Sequence, residues 1–148
     1  MDGVYQTSVI SYSLASRLMT AAVTTAEERG LALSFVILNS AGHLVASARM
    51  DGAAFITVEV ARGKAFACAA AGGVAGTVMR QRFADTPNIW GNAAQLGFGA
   101  PVIPAQGAMP IFVEGAFVGA IGASGAPSQI DEDVIVEAIR KIGASPSA

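Results

Sequence analysis

Apolar positions recur every three to four residues in some stretches of the chain and crowd into short runs in others. From Ser8 to Arg29, Ile10, Leu14, Leu18 and Ala22 repeat every four residues, and Ala21 and Ala26 widen the stripe. That spacing predicts a helix with one buried face, ended by Gly30 as a C′ residue. A second helix is predicted from about Phe55 to Ala71. Val58, Ala61, Ala65 and Cys68 share its apolar face, while Glu59 and Arg62 fall opposite and read as a solvent pair. After Gly72-Gly73 a shorter helix is predicted over Ala75 to Phe83. The last helix begins near Ser128, with Asp131 in a capping-box-like role. It carries Ile135, Ile139 and Ile142 and ends at Gly143. Residues 144–148 read as a loose tail.

The short runs read as strands. Leu33 to Leu38 and His43 to Ala48 flank Asn39-Ser40-Ala41-Gly42, a hairpin by composition. Both runs are apolar on both faces in places, which predicts covering helices. Met109 to Val113 and Ala116 to Ile121 flank Glu114-Gly115, a second hairpin on a two-residue turn. Between these parts, Asp85 to Gly107 is rich in proline and glycine and reads as irregular. Its apolar residues, Trp90 and Phe98 among them, predict an ordered loop that forms a pocket wall or a subunit contact. The element order predicts an α+β fold: an antiparallel sheet built from two hairpins, flanked by helices. One domain spans residues 1–148, with its core over about 8–143.

Composition narrows the function classes. Hydrophobic residues make up 53% of the 148 and charged residues 14%, against a usual charged share of about 25%. So little charge predicts surface buried between subunits, in a symmetric homo-oligomer. A net charge of −2 without a basic cluster argues against nucleic acid as a partner. No apolar run approaches the ~18 residues of a membrane span. The N-terminus lacks the basic and apolar regions of a signal peptide. Cys68 is the one cysteine, so no internal disulfide forms. Together these features predict a cytoplasmic protein.

The candidate chemistry centres on Arg49 to Lys64. A strand end, the Asp51-Gly52 turn and a helix start bring Arg49, Asp51 and Lys64 close in sequence, and such junctions expose side chains and backbone N–H groups. Lys64 sits at the edge of an apolar helix face. Arg49 and Lys64 suit carboxylates, whether of a larger ligand or of a small anionic substrate. Alternatively, Lys64 moves a proton and Asp51 orients it, or Asp51 simply pairs with a cation to hold the hairpin on the helix. His43, the only histidine, is either an iron ligand or a solvent-facing turn residue. Met50, Met79 and Met109 are further axial candidates, although methionine more often fills cores. Cys68 reads as core. Trp90 and Phe98 line either a flat apolar pocket or an oligomer contact. The glycines around Ser124 leave backbone N–H groups open to an anion, but Ser124 lacks partners for nucleophilic hydrolysis. No residue cluster has zinc-site spacing.

Arg49-Met50-Asp51-Gly52-Ala53, Lys64-Ala65, Gly115, the run Val118-Gly119-Ala120-Ile121-Gly122-Ala123-Ser124-Gly125, Gln129 and Asp131-Glu132 together resemble the GlcG/HbpS family, also called the heme-binding or PduO C-terminal-like domain family. The resemblance covers about Ser8 to Gly143. It implies a profilin-like arrangement and a homo-oligomer, an octamer or a smaller even assembly. It also implies heme or a related tetrapyrrole as ligand, with Arg49, Lys64, His43, Met50, Trp90, Gly122 and Ser124 as the ligand-binding set and His43 on the iron. The alternative is a cofactor-free isomerase, tautomerase or lyase acting on a small carboxylate through Lys64 and Asp51. A third reading is a purely structural oligomer. Asn39 stands where the family often has Asp, and Gly107-Ala108 where it often has two glycines.

Overall fold

The described residues run helix, hairpin, three helices, hairpin, helix around one sheet. The computed structural model describes residues 2–96 and 99–148, so Phe98 lies outside the described residues. In order come α1 (Tyr12–Glu28), β1 (Ser34–Asn39), β2 (Leu44–Arg49), α2 (Ile56–Ala70), α3 (Gly76–Asp85), α4 (Pro87–Ala93), β3 (Ala108–Val113), β4 (Ala116–Ser124) and α5 (Ser128–Lys141). The four strands form one antiparallel sheet in the order β2-β1-β4-β3. The two hairpins therefore join through β1 and β4, and the fold is the expected α+β arrangement.

Both faces of the sheet are covered, and the strand period of two divides the core. Phe35, Ile37, Ile111 and Ile121 face α1 and α5. Val36, Leu38, Ala108 and Ala120 face Ala61, Ala65 and Cys68 of α2. Burying each of the larger aliphatic or aromatic side chains contributes about 1.5–3 kcal/mol. β1 is central and buried along its length. β2 is an edge strand and only partly buried, although α1 and α2 both pack against it, so the expected helical cover is complete over β1 and partial over β2.

α2 packs closely because its contact face is small. A Cβ on Gly122 would lie 2.1 Å from the Ala61 carbonyl oxygen. The Gly122 space is thus filled by the helix backbone. The β3–β4 turn has positive φ at both Glu114 (49°) and Gly115 (81°), as a type I′ hairpin requires.

Several boundaries move. α1 begins after Ser11, whose hydroxyl accepts from the Leu14 N–H, not at Ser8. The stretch read as irregular contains α4, started by Pro87 at its first turn, where proline's fixed φ and missing N–H cost nothing. α5 follows Pro127 rather than a Ser128 cap; it is Asp131 Oδ1 that accepts the Ala126 N–H at 3.1 Å. Glu59 and Arg62 form no pair: Arg62 Nε is buried without a hydrogen-bond partner. The tail is tied down, because Ser145 and Phe112 exchange two backbone hydrogen bonds of 2.8 and 2.9 Å. No described helix is long and apolar enough to cross a membrane.

Candidate functional site

Arg49, Ser34 and Ser124 sit directly opposite one another across β2, β1 and β4. Paired residues share a face, and here it is the face under α2. Ser34 Oγ lies 2.7 Å from Thr57 Oγ1, and Thr57 donates to the Ala54 carbonyl at 2.6 Å. The first turn of α2 is fastened to the sheet end in this way. Arg49 is exposed, and one Nη1 donates to the Ala53 carbonyl at 3.0 Å. Arg49, Met50 and Asp51 share a cleft of about 410 Å³ with Val23, Glu27 and Leu31. Met50 is half-buried, and its Sδ accepts from the Leu33 N–H at 3.4 Å.

Two turns along α2, Lys64 turns inward. It is only 6% exposed. Its Nζ donates to the Ala123 carbonyl at 3.1 Å and lies 3.4 Å from Asp131 Oδ2. The carboxylate beside Lys64 is therefore that of Asp131, and Asp51 lies instead in the Arg49 cleft. A side chain on Gly107 would come within 2.7 Å of Nζ, so the ammonium fills the space that glycine leaves. Burial pushes the Asp131 carboxyl pKa up, while Lys64 and the Ala126 N–H pull it down; burial prevails. A second layer of polar groups lies alongside. Arg80 donates to Gln106 at 2.9 Å, and Gln106, only 6% exposed, donates to Gln129 and Glu132. Thr77 also donates to Glu132, at 2.6 Å.

The other sequence candidates lie apart. His43 is exposed at the β1–β2 turn, where its N–H donates to Asn39 Oδ1 at 3.0 Å and its carbonyl accepts the Asn39 N–H at 2.9 Å. Asn39 thus organises the turn through its amide oxygen. At roughly 3.4 Å per residue, β2 holds His43 about 20 Å from Arg49. Trp90 on α4 is half-buried against Ala67, Met79 and Val102. Gly122 meets α2, and Ser124 is buried at the sheet end. Met79 and Cys68 are fully buried, and burial pushes the Cys68 thiol pKa well up. Among the described residues no group of His, Cys, Asp and Glu could hold a metal ion.

A tetrapyrrole would need an axial donor and cations for its carboxylates. The exposed His43 imidazole suits the first need and Arg49 the second, with donors to spare beyond Ala53. Lys64 is committed inward. His43 and Arg49 fit these needs separately, but one chain holds them farther apart than a heme's carboxylates lie from its iron. Ser34, Thr57 and Gln106 were not legible as site residues, although Ser34 alone interrupts an apolar strand run. Asp131 was visible as a cap and within the family motif, but not as the partner of Lys64.

A family model described as haem degrading protein HbpS-like matches residues 10–140. The chain is 28% identical to Protein GlcG of Escherichia coli over 117 residues, covering 78% of this chain and 81% of that one. A double mutant of HbpS from Streptomyces reticuli superposes with a TM-score of 0.81 at 24% identity, over 95% of this chain and 92% of the other. The structure of a PduOC:heme complex superposes with a TM-score of 0.82 at 22% identity, over 95% and 99% of the two chains. The chain belongs to the HbpS-like family.

Proposed function

We propose that this protein binds heme or a related tetrapyrrole. The observation that carries the reading is family membership across residues 10–140, a family described by haem degradation. The likeness to a PduOC:heme complex is consistent with it. In this reading His43 would supply the axial nitrogen and Arg49, beside Met50 and its cleft, would hold a propionate, the two coming from different copies of the chain because one chain holds them too far apart for a single heme. When bound, the group would supply a redox-active iron. The chain's own residues bind and orient it. The test is an absorbance titration of purified protein with hemin. A saturable Soret shift is expected, lost or displaced in His43→Ala. Charged hydrogen bonds contribute about 1.5–3 kcal/mol, so Arg49→Ala is expected to weaken affinity roughly 10- to 100-fold. No saturable shift in the wild type overturns the reading.

A second reading, cofactor-free proton transfer on a small carboxylate, draws on the Lys64–Asp131 pair. An amine 3.4 Å from a carboxylate whose pKa burial has raised is a proton-sharing arrangement. NMR of small carboxylates in D₂O would show α-proton exchange that Lys64→Met abolishes. No exchange, or exchange unchanged in the variant, retires this reading.

A further inference from the structure

α2 carries two cations, Arg62 and Lys64, and only Lys64 is satisfied. Its Nζ reaches the Ala123 carbonyl and the Asp131 carboxylate. Arg62 is half-buried, and its Nε is sealed from solvent without an acceptor. Among the described residues no carboxylate forms an ion pair with it, Glu59 three residues back included. Buried donors are nearly always paired, and one that is not needs an explanation. A guanidinium cannot shed its proton to escape the cost.

The helix fixes where this group points. At 100° per residue, Arg62 and Lys64 project about 160° apart around α2. Lys64 reaches toward β4, so Arg62 projects to the other side of the sheet, over β1 and β2, where α2 also packs. Val58 and Phe66, one turn to either side, continue the same stripe and pack against the cluster that holds Val36 and Leu38 of β1. Beyond that stripe the sheet is open. Ser47 pairs with Val36, and Arg49 with Ser34, so both lie on the face under α2, yet both are exposed. The flank of α2 and the α2 side of β2 thus form a step, with Arg62 and Phe66 in its wall and Ser47 and Arg49 along its floor.

We propose that Arg62 is a carboxylate-binding residue that takes a ligand through Nε and one Nη at this step. Those two N–H groups are parallel and match the two oxygens of one carboxylate, a geometry that an ammonium cannot offer. Phe66 and Val58 beside it give the ligand apolar surface to rest on, so the class is a carboxylate carried on an apolar body. The position also bears on His43. Phe66 reaches the β1–β2 turn, where a Cβ on Gly42 would lie 3.4 Å from its ring, and His43 follows Gly42. Arg62 stands only one turn back along α2, about 6 Å of helix rise, whereas Arg49 is at the far end of β2. Within one chain Arg62 is therefore the cation better placed to hold a carboxylate of a ligand that also meets His43. Naming that carboxylate a heme propionate rests on the heme reading; the carboxylate site does not.

Sodium propionate is the probe for the site itself, read at the Arg62 Nε–H by proton–nitrogen NMR of the whole chain. A saturable shift of that resonance is expected, and none with sodium chloride at equal ionic strength. Arg62→Lys keeps the charge but loses the fork, and is expected to bind propionate about 10-fold more weakly or worse, read at the Phe66 amide. Hemin then distinguishes the source of the carboxylate. Arg62→Gln is expected to weaken hemin binding roughly 10- to 100-fold, the worth of a charged hydrogen bond, with the Soret position unchanged because the iron is ligated elsewhere. A propionate shift together with unchanged hemin affinity in Arg62→Gln supports the site and assigns it to a free carboxylate. No saturable propionate shift, or an equal shift with chloride, overturns the proposal. A wild type that binds no hemin removes the heme reading alone, and the propionate titration still decides. Should Arg62→Gln or Arg62→Lys fail to fold, the wild-type propionate and chloride titrations decide.

Discussion

Lys64 and Asp131 form a buried pair whose two halves depend on each other. Removing one partner of such a pair typically costs about 3–5 kcal/mol, because the other charge stays buried and uncompensated. Asp131→Ala would strand the Lys64 ammonium and leave the Ala126 N–H without its acceptor. Urea unfolding is expected to show a loss of that size, and Lys64→Met added to Asp131→Ala should recover part of it. The pH dependence has a definite sign. The Asp131 pKa is raised in the fold, so its titration contributes stability below the ordinary carboxylate value of about 3.9. That contribution is lost as pH rises through the raised value. Against Asp131→Asn, the wild type should therefore lose relative stability across that window. Exposed Glu137 behaves oppositely: its hydrogen bond from Arg29 lowers its pKa, so its contribution is lost as pH falls. The helix wheel placed Lys64 at the edge of the apolar face of α2, but periodicity does not say which carboxylate meets it. Asp51 is near in sequence, whereas Asp131 arrives only when α5 docks on β4.

At the scale of elements, the closest contact is α2 on β4. Gly122→Ala would push a methyl to within 2.1 Å of the Ala61 carbonyl oxygen. Backbone cannot rotate away, so the helix must lift. Overpacking usually costs about 1–3 kcal/mol, and thermal denaturation is expected to show the upper end of that range. Gly91 in α4 makes the contrast, since a Cβ there meets nothing within 4 Å. Gly91→Ala is expected to stabilise by about 0.5–1 kcal/mol through backbone entropy. Most elements were legible because their periods were clean, as in α1 and α5. α4 was hidden because Pro87 and Gly91 read as breakers. Its short length offered too few turns for a stripe to show, and Pro87 in fact starts the helix. β4 was read to Ile121 but runs to Ser124, because the glycines that looked like a loop are where α2 crosses the sheet.

Across the whole molecule, the two edges of the sheet differ: β3 is bridged by Ser145, and β2 forms the other edge. The C-terminal residues looked like a free tail because no periodicity survives past Gly143. Their role depends on a backbone bridge, which side-chain pattern does not encode. Ser145 contributes two backbone hydrogen bonds to Phe112, each worth a net ~0.5–1.5 kcal/mol. Deleting residues 144–148 is therefore expected to lower stability by about 1–3 kcal/mol in urea. It would also free the outward N–H of Phe112, which hydrogen exchange would report as lost protection at that amide. With Pro110 still in place, the middle of the uncovered edge offers no donor and should remain a poor template for strand pairing. The truncated protein is thus expected to keep the assembly state of the full chain while exchanging faster at Phe112. A rise in assembly mass on truncation would show that Ser145, rather than Pro110, is what keeps the β3 edge from pairing.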